Sequence, residues 1–158
     1  MNEQIIGSTL EYSVELSHGP YEALLRAVQP IRAREVVFYL GGRIVTAPTK
    51  YTLQLDAGRH LLADNELWQF MNHGCEPCVR IDVDTRQMIA IRDVARGEEL
   101  TFNYNTTEWD MAAPFDCTCG DENCTGRIRG FRYLTPAQRA ALRPWLSPLI
   151  ESRFSRHD

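Results

Sequence analysis

The stretch NHGCEPC, Asn72 to Cys78, decides how this chain is read. It puts an amide and an imidazole side by side, with a thiol two residues further on. Two later stretches give it meaning. GEELTFNY, Gly97 to Tyr104, ends a β-patterned run on a tyrosine. CTCGDENC, Cys117 to Cys124, sets three thiols in the compact spacing CxCx4C. A tetrahedral zinc site takes four ligands, so three thiols this close together call for a fourth from elsewhere in the chain. The alternative is that they are ordinary small thiols without metal.

Outward from that stretch, the patterning is β-rich. ELWQFMN (66–72) carries apolar residues at 67, 68, 70 and 71, which predicts a short helix delivering Asn72 and His73. Val79, Ile81 and Val83 alternate with polar residues, DTRQ is polar, and MIAIRDV is apolar again, so a hairpin is expected about residues 84–87. Upstream, Tyr51, Leu53 and Leu55 alternate. EVVFYL (35–40) has the β-branched and aromatic character of a buried strand, with Gly41-Gly42 as its turn. EYSVEL (11–16) alternates as well. HGPYEALLRAVQPIRAREVV stays open: Leu24, Leu25 and Val28 suit one helical face, yet Gly19-Pro20 and Pro30 bracket it with breakers.

The tail begins a helix with Thr135 as N-cap, Pro136 in the first helical position and Gln138 closing a capping box. Leu142, Trp145, Leu146, Leu149 and Ile150 form an apolar set expected to dock on the core, broken into short turns by Pro144 and Pro148.

Size and charge narrow the classes. At 158 residues the chain fits one domain with a real core. Hydrophobic residues make up 44% and charged residues 24%, which argues against wholesale disorder. A net charge of −4 argues against general nucleic-acid binding and is compatible with a basic peptide or amine. MNEQIIGSTLEYSVEL has neither the basic start nor the apolar core of a signal peptide, and no run reaches membrane-spanning length. We therefore expect a cytoplasmic protein without a membrane partner. Five cysteines, four in metal-like positions, favour metal over disulfides in a reducing compartment.

The order and wording of Asn-His-x-Cys, Gly-Glu-Glu-Leu-Thr-Phe-x-Tyr and CxCx4C followed by Thr-Gly-Arg-Ile resemble the SET-domain lysine methyltransferases with a post-SET zinc segment. The resemblance is strong from Asp56 to Gly130 and weak before that. It implies an α+β, β-rich fold of several small sheets in a pseudoknot-like arrangement, with a post-SET segment and a short C-terminal helix. By the same resemblance the SET domain would span 1–112, the post-SET segment 113–130 and the helical tail 131–158. Asn72 and His73 match the pair that holds S-adenosylmethionine, and Tyr104 matches the catalytic tyrosine, which also borders the cofactor. Tyr21 falls in the first cofactor loop. Phe102 matches the Phe/Tyr switch that sets how many methyl groups fit beside the amine. Cys75 would join Cys117, Cys119 and Cys124 around a structural zinc.

The match has departures. The cofactor loop has Gly19 alone where the family carries Gly-x-Gly. Gln69 stands where an arginine is common, Asn103 replaces an aspartate before the tyrosine, and Cys78 replaces an asparagine. Glu98 and Glu99 read as turn and surface residues, and His18, His60 and His157 as surface or structural. The leading function is methyl transfer from S-adenosylmethionine to a lysine amine of a protein or peptide. The alternatives are the same cofactor used on a small-molecule amine or amino acid, and a zinc-stabilised binding module without catalysis. The arginines at 127, 129, 132, 139 and 143 are expected to form a solvated face.

Overall fold

The computed structural model describes residues 14–18, 23–64 and 66–156. Tyr21, and with it the loop carrying Gly19, lies outside the described residues. The first sheet is an antiparallel pair, β1 (Val14–His18) with β2 (Ala23–Ala27). The open segment thus resolves as a strand. Leu25 and Ala27 are buried while Leu24 and Arg26 are only half-buried, a period of two rather than 3.6. Pairing with β1 on one side and with residues 97–100 on the other overrides the local helical pattern.

Next come β3 (Val36–Tyr39) and a small insert of three strands, β4 (Arg43–Val45), β5 (Thr52–Gln54) and β6 (His60–Leu62), ordered β4-β6-β5. Gly42 makes the entry into β4 possible. Its φ is +144°, and a Cβ there would sit 2.3 Å from the Leu62 carbonyl oxygen. The expected short helix is a 3₁₀ turn at Leu67–Phe70, after which β7 (Asn72–His73) begins. The expected hairpin forms from β8 (Val79–Asp82) and β9 (Gln87–Ala90), with β9 also paired to β3. Arg86 takes a positive φ of 56° in its turn.

One late segment ties these pieces together. Residues 97–104 run between β2 and β7: the Leu100 amide donates to the Leu25 carbonyl, and the Ala27 amide to that of Glu98. On the other side β10 (Thr101–Phe102) pairs with β7 in parallel. A late strand seated between two earlier ones is the pseudoknot-like arrangement expected. The core forms around it from Val14, Leu16, Leu25, Val37, Val79, Met88 and Leu100, all fully buried.

β11 (Phe115–Asp116) and β12 (Arg127–Ile128) bracket the cysteine-rich loop. The tail makes two seven-residue helices, α1 (Pro136–Leu142) and α2 (Pro148–Phe154). α1 carries the full Thr135–Gln138 capping box. Pro148 does not break the tail as expected: it occupies the first turn of α2, behind Ser147 as N-cap, where a missing amide hydrogen leaves no helical bond unmade. Ile150 and Phe154 of α2 join Phe131 and Leu134 in a second core, with Trp109, Leu142 and Leu146 against it. Among the described residues, no helix is long and apolar enough to cross a membrane.

Candidate active site

The site is built where β7 and β10 run side by side, Asn72 opposite Thr101 and His73 opposite Phe102. Gly74 permits that approach, because a Cβ there would lie 2.4 Å from the Thr101 hydroxyl oxygen. Its amide donates to the Phe102 carbonyl at 3.1 Å, and the Cys78 amide donates to the Thr101 carbonyl at 3.2 Å. The NHGCEPC turn and the end of GEELTFNY therefore form one unit.

His73 is its hub. Its Nδ1 accepts the Tyr104 backbone amide hydrogen at 3.1 Å. That assigns the proton to Nε2, which lies 3.3 Å from the Cys75 sulfur and donates toward it. Burial pushes the imidazole down to about 4, with Asp121 opposing weakly, so the ring is neutral near pH 7. Both ring nitrogens are thus engaged within the protein.

Tyr104 donates its hydroxyl to the Met71 carbonyl at 2.6 Å. Its ring meets His73 edge-on at 5.3 Å, Phe102 at 4.8 Å and Phe115 at 6.0 Å between centroids. Phe102 is buried and also belongs to the main core, so its core packing and its place beside Tyr104 coexist. Asn103 caps the turn that carries Tyr104 by accepting the Asn105 amide at 3.0 Å. The aspartate common at that position would do the same, which explains why the amide is tolerated.

Asn72 directs its side-chain NH₂ to two acceptors, the Ala23 carbonyl at 3.2 Å and the Glu99 carboxylate at 3.0 Å. Ala23 opens β2, so Asn72 ties β7 to the start of that strand. Glu99 is therefore not a plain surface residue, whereas Glu98 is a turn residue, bound to Arg92 and capping the Ala95 amide. Gln69 donates its side-chain NH₂ back to the Glu66 carbonyl.

The sulfurs of Cys75, Cys117, Cys119 and Cys124 all lie within 4.8 Å of one another. Four sulfurs about 2.3 Å from one zinc stand about 3.8 Å apart. Cys75 and Cys117 are 3.9 Å apart, close to that value and far beyond the roughly 2 Å of a disulfide. All five cysteines are free. Burial raises the thiols of Cys75 and Cys117, so a set of four thiolates here calls for a cation. The donor set fits zinc. The loop is also tied to the Asn-His turn directly: the Glu76 amide donates to Asp121, and Asn123 donates to the Glu76 carboxylate. Cys78 stands apart, fully buried, with its sulfur near the Glu99 and Thr101 carbonyls.

The geometry thus gathers Asn72, His73, Phe102, Tyr104 and the four cysteines into one region. It adds three participants that sequence reasoning passed over. Phe115, from β11, lies 5.9 Å from the His73 ring, and only the folding of the cysteine loop brings it there. The Met71 carbonyl is backbone and carries no side-chain signal. Glu99 sits in a motif whose spacing says nothing about its partner across the fold. The C-terminal arginines are not simply solvated: Arg127 pairs with Asp116 and Arg132 with Asp110, while Arg129, Arg139 and Arg143 lie over the rings of Tyr133, Phe131 and Phe154.

Known proteins share this architecture. The SET domain family matches residues 22–105. A methyltransferase of Aspergillus flavus, flvH, is 33% identical over 135 residues, covering 84% of this chain and 74% of that protein. A Yarrowia lipolytica histone-lysine N-methyltransferase, H3 lysine-36 specific, is 31% identical over 129 residues, covering 67% of this chain but 17% of that enzyme. This chain therefore spans less than a fifth of the length of that histone enzyme. Crystal structures of KRYPTONITE superpose with TM-scores of 0.63 and 0.60 at 20% and 21% identity, over 75% of this chain and about 30% of theirs. The matched span takes in Asn72, His73, Phe102 and Tyr104, and this chain belongs to the SET-domain family.

Proposed function

We propose that this protein is a methyltransferase that moves a methyl group from S-adenosylmethionine to a lysine amine of a protein or peptide. The observation that carries this is the parallel pairing of Asn72-His73 with Thr101-Phe102, which sets Tyr104 against the Met71 carbonyl. The relatives support it. The Yarrowia lipolytica protein is named for lysine methylation, and the KRYPTONITE structures hold S-adenosylhomocysteine, one of them with an H3(1–15) peptide.

The residues suit such a cofactor. The hydroxyl of Tyr104 and the carbonyl of Met71 offer paired oxygens, and the imidazole beside them is neutral, so the site favours a cationic sulfonium. When bound, S-adenosylmethionine supplies an electrophilic methyl on that sulfonium. The task left to the protein is positioning: a neutral amine held in line with the methyl, its lone pair free. Tyr104, fixed by its bond to Met71 and by three neighbouring rings, orients the acceptor. Phe102 and Phe115 make the walls apolar, which disfavours an ammonium and so favours loss of its proton. Cys75, Cys117, Cys119 and Cys124 would hold a structural zinc, which would fix the cysteine loop and with it Phe115 beside Tyr104. A reducing cytosolic setting suits these thiols.

A second reading, transfer to a small-molecule amine or amino acid, is favoured by one observation. The chain covers 74% of a compact methyltransferase and only 17% of a histone enzyme. Calorimetric titration of zinc-loaded protein with S-adenosylmethionine tests the cofactor. Micromolar binding is expected, weakened at least about tenfold in Asn72→Ala because its bonds to the start of β2 and to Glu99 are lost. No heat from folded, zinc-replete protein would refute the enzyme reading. Methyl transfer to a histone H3 peptide against transfer to free amino acids separates the two substrate classes.

A further inference from the structure

β5 is an edge strand of the insert sheet, and the outward-facing amide of its last residue, Gln54, has no neighbouring strand to receive it. A carboxylate receives it instead. Both oxygens of Glu108 lie 3.1 Å from the Gln54 amide nitrogen. The return bond comes from the same two neighbours, as the Trp109 amide donates to the Gln54 side-chain oxygen at 3.0 Å. The Gln54 side-chain NH₂ donates to the Asp56 carbonyl, which fixes the orientation of its amide.

Glu108 and Trp109 stand immediately beyond the turn that carries Tyr104. The Glu108 amide donates to the Tyr104 carbonyl at 3.0 Å, the Thr107 amide does so at 3.2 Å, and the Thr107 hydroxyl donates to Glu108 at 2.6 Å. From the other side, the Phe131 amide donates to the Glu108 carbonyl. This short segment therefore joins the insert sheet, the Tyr104 turn and the tail.

We propose that Glu108 is a positioning residue that, through its reciprocal bonds with Gln54, locks the β4-β6-β5 insert against the Tyr104 turn and so sets the distance between the insert and the acceptor amine. The proposal rests on the reading of Tyr104 as the catalytic residue. The charged groups on the surrounding elements are otherwise occupied. Asp56 is held by Arg59, Asp110 by Arg132, and Arg153 lies over the Trp109 ring. His60, cross-strand from Gln54, is held below the usual histidine range by burial. Among the described residues no ion pair reaches Glu108. Burial pushes its carboxyl up to about 7, so both of its forms are present near neutrality and its ionisation can be followed at its partners.

The test uses ¹⁵N-labelled, zinc-loaded protein and three variants, Glu108→Gln, Glu108→Ala and Tyr104→Phe. In the wild type, the Gln54 amide signal should move with pH around neutrality, and Glu108→Gln should abolish that movement. The Gln54 and Trp109 amides should exchange with solvent at least tenfold faster in Glu108→Ala, with Glu108→Gln intermediate because one acceptor oxygen remains. With S-adenosylmethionine and a histone H3 peptide, the peptide KM should rise at least fivefold in Glu108→Ala, with S-adenosylmethionine affinity changed less than threefold and partial rescue in Glu108→Gln. A Gln54 amide that ignores both pH and Glu108→Gln overturns the clamp. A clamp that responds while the peptide KM stays put overturns its positioning role. Failure of the catalytic reading looks different: Tyr104→Phe would transfer methyl as the wild type does, whatever the Gln54 amide shows.

Discussion

Replacing Tyr104 by phenylalanine removes one oxygen and leaves the ring. The lost bond is the 2.6 Å contact with the carbonyl of Met71, a residue only 2% exposed. Leaving that carbonyl without its donor costs about 1–2 kcal/mol of stability. For a chain of this length that is a fall in Tm of roughly 2–8 °C. The ring contacts with His73, Phe102 and Phe115 do not involve the oxygen, so the fold holds. Catalysis should suffer more. If the hydroxyl orients the amine, its loss lowers kcat at least about 100-fold, equivalent to roughly 2.7 kcal/mol of barrier. S-adenosylmethionine affinity should change less than about threefold, since the hydroxyl acts on the transfer geometry rather than on the bulk of the cofactor. Thermal melts, calorimetry and single-turnover methyl transfer on one preparation separate these quantities. A variant that loses the expected stability but keeps kcat within threefold of wild type would show the hydroxyl to be a structural hydrogen bond alone.

Other consequences can be measured directly. Elemental analysis should find one zinc per chain; its removal by a chelator, or Cys124→Ser, should free Phe115 from the His73 and Tyr104 rings and lower Tm, and a metal-free protein melting as the native one does would contradict the assignment. Phe131→Ala empties the centre of the second core, where Phe131 is fully buried against Phe154, and should cost about 3–5 kcal/mol in urea unfolding; a loss under 1 kcal/mol would mean that the tail does not dock this way. Glu108 gives an unusual pH dependence. Between its ordinary value of 4.5 and about 7 the folded state keeps a proton that the unfolded state has released, so this group's contribution to stability falls as pH rises, by up to about 3 kcal/mol, and Glu108→Gln should flatten that part of the profile.

Much of this was legible in the order of residues because the signals are local. A capping box spans four positions, so Thr135, Pro136 and Gln138 announce α1 without help. Alternation over VRIDVD and MIAIRDV, with polar residues between, specifies a hairpin because its partners are neighbours in the chain. The cysteine spacing, read with the Asn-His-x-Cys turn, names a ligand set whose sulfurs do converge. The family wording carried Asn72, His73, Phe102 and Tyr104 to one site, although it could not say what their polar atoms touch.

Tertiary structure decided whatever depended on partners distant in sequence. Leu24, Leu25 and Val28 suit one helical face, yet the backbone donors and acceptors of residues 23–27 are taken by β1 and by residues 97–100, and pairing on both sides outweighs a weak local preference. Asn72 and His73 match a cofactor-holding pair by resemblance, but which protein atoms their side chains meet, at Ala23, Glu99, the Tyr104 amide and the Cys75 sulfur, came only from the fold. Glu108 shows the limit most clearly. Beside the hydroxyl of its neighbour Thr107, its carboxylate takes the Gln54 amide of an edge strand 54 residues away, a donor that no local pattern announces. Sequence specifies which groups a chain carries and how each short stretch prefers to bend. Which groups meet is settled by burial and by the need of each buried donor to find an acceptor, and those are properties of the whole fold.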